Sequence, residues 1–163
     1  MKQDESASII TSGLPPAKIR DVKFIGVSLM GVSLGIVKIE TDQAGLYGYG
    51  CASMTLRGLA VKSAVEDYLR PFLIGRDVDQ IEDIWQSAYM SSVYRSGPVL
   101  NNALSGVDQA LWDIKGQRAN MPVYQLLGGK CRNAADVYVH AGGSTPEETA
   151  DEVLRFMEEG YRN

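Results

Sequence analysis

The residues of this chain best equipped for chemistry are few and scattered. His140 is the only histidine, and it closes the apolar run Ala135-Asp136-Val137-Tyr138-Val139-His140 just ahead of Ala141-Gly142-Gly143. An imidazole there can bond a ligand or exchange a proton near neutral pH. A histidine ending a strand serves equally well as a satisfied structural residue. Arg57 ends the run Cys51-Ala52-Ser53-Met54-Thr55-Leu56-Arg57. Its five-donor fork suits a carboxylate or a hydroxyl-rich ligand, with plain solvation as the alternative. Asp108 and Asp113, with Trp112 between them, lie five residues apart, not the three or four that share a helix face. They are expected to cap, pair or bond nearby backbone. Tyr47-Gly48-Tyr49-Gly50 alternates glycines but lacks the GxGxxG spacing and following helix of a nucleotide loop. Cys51 and Cys131, without CxxC spacing, read as reduced thiols, a disulfide between them being the alternative.

Three β-rich runs open the chain. Val22 to Val27 and Leu34 to Thr41 are the first two, and in the second Val37 and Ile39 alternate with Lys38 and Glu40 as in a half-buried strand. Turn chemistry from Thr41 to Gly45 leads to a third run, Leu46 to Cys51, so a three-stranded antiparallel meander is expected. Helical spacing follows over Leu59 to Leu69, where Pro71 is expected to end the helix, and over Ile81 to Met90. The longest such pattern runs from Leu100 to Gln117. Leu100, Leu104, Val107, Leu111 and Ile114 form its buried face, with Asn101, Asp108, Lys115 and Arg118 mainly off it. Met121-Pro122 restarts a short helix with proline in its first turn, and Gly128-Gly129 stops it. Strands first and helices afterwards is an α+β order. Beyond Gly129, Ala135 to His140 reads as a strand, and Thr145-Pro146-Glu147-Glu148 opens a helix with capping-box spacing. Together they make one βα unit.

Among the 163 residues, 16 are Lys or Arg and 20 are Asp or Glu, with no basic stripe carrying interleaved aromatics, which argues against nucleic acid as a partner. No apolar run approaches the roughly 20 residues of a membrane span, and the first 17 residues lack a signal-peptide layout. A cytoplasmic protein with no membrane partner is expected.

The strings IVKIETDQAGLYGYG, LRPFLIGRD, IEDIWQ, GPVLNNALSGVDQALWDIKG, MPVYQLLGGKCR and VYVHAGG, in that order between Ile19 and Asn163, resemble the enolase superfamily of mandelate racemase/muconate lactonizing enzyme type. Within it the wording is most similar to the mannonate dehydratases and starvation-sensing-like acid-sugar dehydratases. The resemblance implies an α+β capping domain followed by a modified (β/α) barrel, and a barrel alone takes about 250 residues. The expected organisation is therefore a disordered leader over 1–17, the capping domain over 18–128, and the first βα unit of a truncated barrel over 129–163, the remainder being absent.

The same resemblance implies an Mg²⁺-dependent dehydratase of the mannonate or gluconate type in the full-length parent. It would remove the proton next to a sugar acid's carboxylate and expel the β-hydroxyl as water, with Mg²⁺ stabilising the developing charge. The family's metal ligands, base and acid come from later barrel strands, so no catalytic residue and no metal ligand is expected here, and the chain alone should be inactive. His140 matches a histidine that contacts substrate, and the Cys51 to Arg57 loop matches one that folds over the barrel mouth. Thr55 stands where the mannonate dehydratases carry an asparagine that bonds the sugar acid; threonine keeps a donor and an acceptor but loses the amide's reach and second donor. Thr55, Arg57 and His140 are the expected substrate contacts. Tyr94 and Arg95 touch the same mouth or, by the blander reading, pack in the core or an interface. A homo-oligomer is expected at full length. Two alternatives stay open: a non-catalytic regulatory or binding module on the same scaffold, and a racemase or cycloisomerase of the superfamily.

Overall fold

Alternating apolar and polar residues build the opening sheet. The computed structural model describes residues 13–29 and 32–162. β1 (Ile19–Leu29), β2 (Val32–Thr41) and β3 (Tyr47–Cys51) form one antiparallel sheet in the order β1-β2-β3, the meander expected from the sequence. Val22 pairs with Ile39 and Phe24 with Val37, so Val22, Val37 and Ile39 are fully buried on one face. On the other face Glu40 accepts hydrogen bonds from Lys38, Arg20 and Lys23 at 3.0, 2.9 and 3.3 Å.

Those three cations, Lys38 foremost and then Arg20 and Lys23, hold the Glu40 carboxyl down from 4.5 to about 2. The folded state therefore binds this proton more weakly than the unfolded chain. Stability from Glu40 is complete above the ordinary carboxylate range and is lost as pH falls towards about 2. Carboxyl-carbon NMR should place its midpoint near that value, and a midpoint close to 4.5 would refute the cluster.

One continuous helical stretch follows, made of α1 (Gly58–Ser63), a π-helical segment (Ala64–Leu69) and α2 (Arg70–Leu73). The helix thus runs through Pro71, where its end was expected. The π register changes the bonding partners just before Pro71, the second residue of α2. α3 spans Ile81–Met90 as expected, and α4 spans Pro98–Ala119, closed by left-handed Asn120. A short α5 (Val123–Leu126) has Pro122 at its extended N-cap and not inside its first turn, and Gly128, at φ 112°, stops it.

α4 lies on the sheet. Leu104, Val107, Leu111 and Ile114 are buried, with Ala103 and Ala110 beside them, whereas Leu100 at the helix start is exposed. Gly48 and Gly50 of β3 let the two elements meet, because a Cβ on either would overlap a backbone carbonyl of α4, that of Ala110 or of Gly106. The tyrosines alternating with them point the other way and are exposed. The outer edge of β3 is met by one row of α4 side chains at four-residue spacing. Cys51 N donates to Gln109 Oε1 (3.1 Å), Tyr49 N donates to Asp113 Oδ2 (3.0 Å), and Gln117 Nε2 donates to Tyr47 O (2.7 Å). On β1, Phe24 N donates to Glu66 Oε1 at 3.1 Å.

Arg118 corrects the helical-wheel reading. Its side chain is 5% exposed, and its Nη2 donates to Asp79 Oδ2 (3.1 Å) and to Pro15 O (2.8 Å), while Lys115 Nζ donates to Asp79 Oδ1 at 2.8 Å. Four residues after Ile114, it continues the buried row with a charge that Asp79 balances. Of the expected loose leader, residues 1–12 lie outside the described residues. Residues 15–17 are held: Gln43 Nε2 donates to Pro15 O and Pro16 O, Val78 N donates to Ala17 O, and Ala17 is fully buried.

The chain divides into two compact units, one through Gly128 and one from Gly129. In the second, α6 (Pro146–Glu158) starts as expected, Thr145 Oγ1 accepting from Glu148 N. The Glu148 carboxylate takes the Ser144 N–H, one residue before the position a capping box uses. Ala135 to His140 forms no strand. A strand is held by ladder bonds to a neighbour, and no described segment pairs with this one.

Candidate functional site: the loop after the third strand

β3 hands the chain to a short loop whose root and tip are both fixed. At the root Ala52 is fully buried and its N–H donates to Gly35 O at 2.8 Å. Ser53 Oγ accepts from Gly35 N at 3.1 Å, donates to Gly35 O at 3.4 Å, and lies 3.1 Å from Cys51 Sγ. Met54 packs against the core. At the tip Arg57 N donates to Met54 O at 3.4 Å, closing a turn whose third residue, Leu56, has φ 63°. This left-handed conformation is costly for a leucine, and the side chain is 85% exposed, so burial does not offset that cost.

Thr55 and Arg57 both stand exposed on this loop, Arg57 Nη1 donating to Leu56 O at 2.9 Å. The Thr55 hydroxyl supplies one donor and two lone pairs, and the Arg57 guanidinium supplies charge for a carboxylate. His140 belongs to the second unit, in the irregular stretch before α6, with the Tyr138 ring edge-on at 5.1 Å.

Other residues singled out in the sequence sit elsewhere. Tyr94 is 85% exposed and not in the core; it and Arg95 line a groove of about 620 Å³ with Tyr68, Phe72, Leu100 and Leu104. Asp113 bonds the backbone of β3, as its type and spacing suggested. Burial, and then the charge of Glu82, pushes the Asp108 carboxyl above the usual range. Trp112 packs against the core. Both cysteines are free thiols and exposed. Among the described residues no three or more His, Cys, Asp or Glu side chains gather where they could hold a metal ion, and no helix is long and apolar enough to cross a membrane. Sequence reasoning passed over Ser53, whose only outward signal is a hydroxyl two residues beyond a strand end, and Leu56, whose type argues against its conformation.

Residues 15–128 match the family description "Mandelate racemase / muconate lactonizing enzyme, N-terminal domain". The chain belongs to this family. The sheet and the helices behind it are the mandelate racemase/muconate lactonizing enzyme N-terminal capping domain of the enolase superfamily. A D-galactonate dehydratase family member of Musicola paradisiaca is 56% identical over 145 residues, which cover 89% of this chain and 35% of that protein. The crystal structure of an enolase from Pantoea ananatis with bound D-gluconate and Mg is 56% identical, with a TM-score of 0.82 over 89% of this chain and 35% of that one. A member of the enolase superfamily from Salmonella Typhimurium is 30% identical, with a TM-score of 0.78 over 89% of this chain and 41% of that one. The chain thus spans about a third of the length of the curated relatives it matches.

Proposed function

We propose that this chain is the N-terminal part of an acid-sugar dehydratase. The observation that carries the reading is the 56% identity and TM-score of 0.82 to the gluconate-bound Pantoea protein, together with dehydratase-family relatives at the same identity. In the reaction, loss of the proton α to the carboxylate and departure of the β-hydroxyl as water turn the sugar acid into a 3-deoxy-2-keto acid. The parts this chain contributes are binding and orientation. The Thr55 hydroxyl bonds a sugar hydroxyl, the Arg57 guanidinium faces the carboxylate, and the His140 imidazole holds a polarised oxygen of the substrate. The ligands of the Mg²⁺ ion are assigned to the part of the relatives' length that this chain does not span.

Full-length protein incubated with Mg²⁺ and D-gluconate, D-mannonate or D-galactonate should release a 3-deoxy-2-keto acid from at least one of them. Exchange of the α-proton with solvent and no loss of water would replace this reading with racemisation. The chain alone is expected to show neither turnover nor a stoichiometric Mg²⁺ site by calorimetry, and one such site would overturn the assignment of the ligands.

His140→Ala in the full-length protein should lower kcat/KM about ten- to a hundredfold, the worth of one hydrogen bond to a charged or polarised group. Thermal stability and Mg²⁺ affinity should stay unchanged. A sharp fall in stability with normal kcat/KM would make His140 a structural residue.

A further inference from the structure

The root of the loop carries an arrangement that neither the fold nor the proposed reaction requires. β3 stops at Cys51, yet the backbone of Gly35 on β2 continues to be answered, first by Ala52 N and then by the Ser53 side chain. One hydroxyl accepts from Gly35 N and donates to Gly35 O, doing with a side chain what a further ladder residue would do with its backbone. Gly35 is held from both sides, paired with Gly26 of β1 and bonded through its carbonyl by Ala52 N at 2.8 Å, and it has no room for a side chain, since a Cβ there would come within 2.5 Å of the Phe24 ring. Ser53 therefore grips a rigid point. Two residues on, Thr55 occupies the turn that closes from Met54 O to Arg57 N, with Leu56 held left-handed. A strained tip keeps its shape only where the surroundings over-determine it. Here the root bonds and the half-buried Met54 side chain, packed against the core, are what determine it.

We propose that Ser53 is a positioning residue: its hydroxyl docks the loop onto Gly35 and so sets where the Thr55 hydroxyl meets the substrate. This rests on the reading that the loop touches a sugar acid. Ser53 makes no contact with the substrate itself and acts through Thr55. Without the Ser53 hydroxyl, Gly35 N loses its acceptor, the root loosens, and the loop must be ordered again at each binding event. The loss falls on KM and leaves the reacting atoms untouched.

The test is a double-mutant cycle in the full-length protein with D-gluconate and Mg²⁺ as the probe, reading kcat, KM and thermal midpoint. Thr55→Ala should raise KM, and Ser53→Ala should raise KM about three- to tenfold at unchanged kcat. Ser53→Thr, which keeps the hydroxyl, should restore it. In the double variant the Ser53 substitution should add nothing further, since the hydroxyl it positions is gone. Amide exchange at Gly35 should speed up in Ser53→Ala and not in Thr55→Ala. If Thr55→Ala binds and turns over D-gluconate like the native protein, the substrate-contact reading fails and the proposal fails with it. If Thr55→Ala is impaired but Ser53→Ala is silent, or the two effects multiply independently, the reading stands and the positioning role is overturned. A KM effect that follows only a fall in thermal midpoint, without rescue by Ser53→Thr, also overturns it.

Discussion

Replacing Asp79 with alanine should cost about 3–5 kcal/mol of stability, the typical penalty for leaving a buried charge without its partner. Asp79 is 11% exposed and bonds both Arg118 and Lys115, and the Arg118 side chain is 5% exposed. Without Asp79, Arg118 Nη2 keeps only the Pro15 carbonyl, and its Nε already has no partner. Lys115 can turn to solvent, since a third of its side chain is exposed, so the loss falls on Arg118. Urea denaturation should show a lowered midpoint at unchanged slope. The control is Asp79→Leu combined with Arg118→Met, which removes both charges and should recover most of the loss. A single variant within about 1 kcal/mol of the native chain would mean that water reaches Arg118 and that the cluster is not buried in solution.

Gly50→Ala should cost about 3 kcal/mol or more, at the upper end of what overpacking a core does. The added methyl would overlap the carbonyl oxygen of Gly106 and come within 2.8 Å of Ala110 N and 2.9 Å of Gln109 Cβ. Two of those atoms are helix backbone, which cannot swing aside as a side chain would. α4 must lift from β3, opening the contacts of Val107, Leu111 and Ile114 beneath it. Gly26→Ala is the matched control, because a Cβ there meets only the edge of the Phe24 ring at 3.9 Å. The two variants should differ by at least about 2 kcal/mol in denaturant midpoints converted at common slope. Equal stabilities would mean that the helix and strand are farther apart than described.

These two sites mark how far the sequence could be read. The sheet was legible because Val37 and Ile39 alternate with Lys38 and Glu40, and that period fixes both a strand and its buried face. α3 was legible to the residue, since nothing in tertiary structure opposes its local pattern. Pro71 misled because a π turn upstream is a matter of backbone register, which side-chain types do not encode. Arg118 misled in the opposite way. Its spacing from Ile114 put it on the buried row, but its charge argued for solvent, and the partner that reverses the argument lies 39 residues away. The expected strand ending at His140 failed for want of a neighbour, because ladder bonds are non-local. At the candidate site the loop could be located from the strand that precedes it, while Thr55 and Arg57 were singled out by the family resemblance and by their side-chain chemistry. Ser53 could not, since both its backbone partners are on Gly35, 18 residues upstream.

The bonds that α4 and the π-helical segment make to the sheet bear on how this chain behaves in a crowded solution. A three-stranded sheet has two borders, and each is a template on which a strand from another molecule can grow. Here Gln109, Asp113 and Gln117 occupy one border and Glu66 the other, using the same N–H and C=O groups an incoming strand would need. Those partners are side chains, so the seal is no part of the ladder and can be removed without unpairing a strand. Where Asp113 and Glu66 are replaced by apolar residues, the domain would keep its fold and lose its resistance to intermolecular β-pairing.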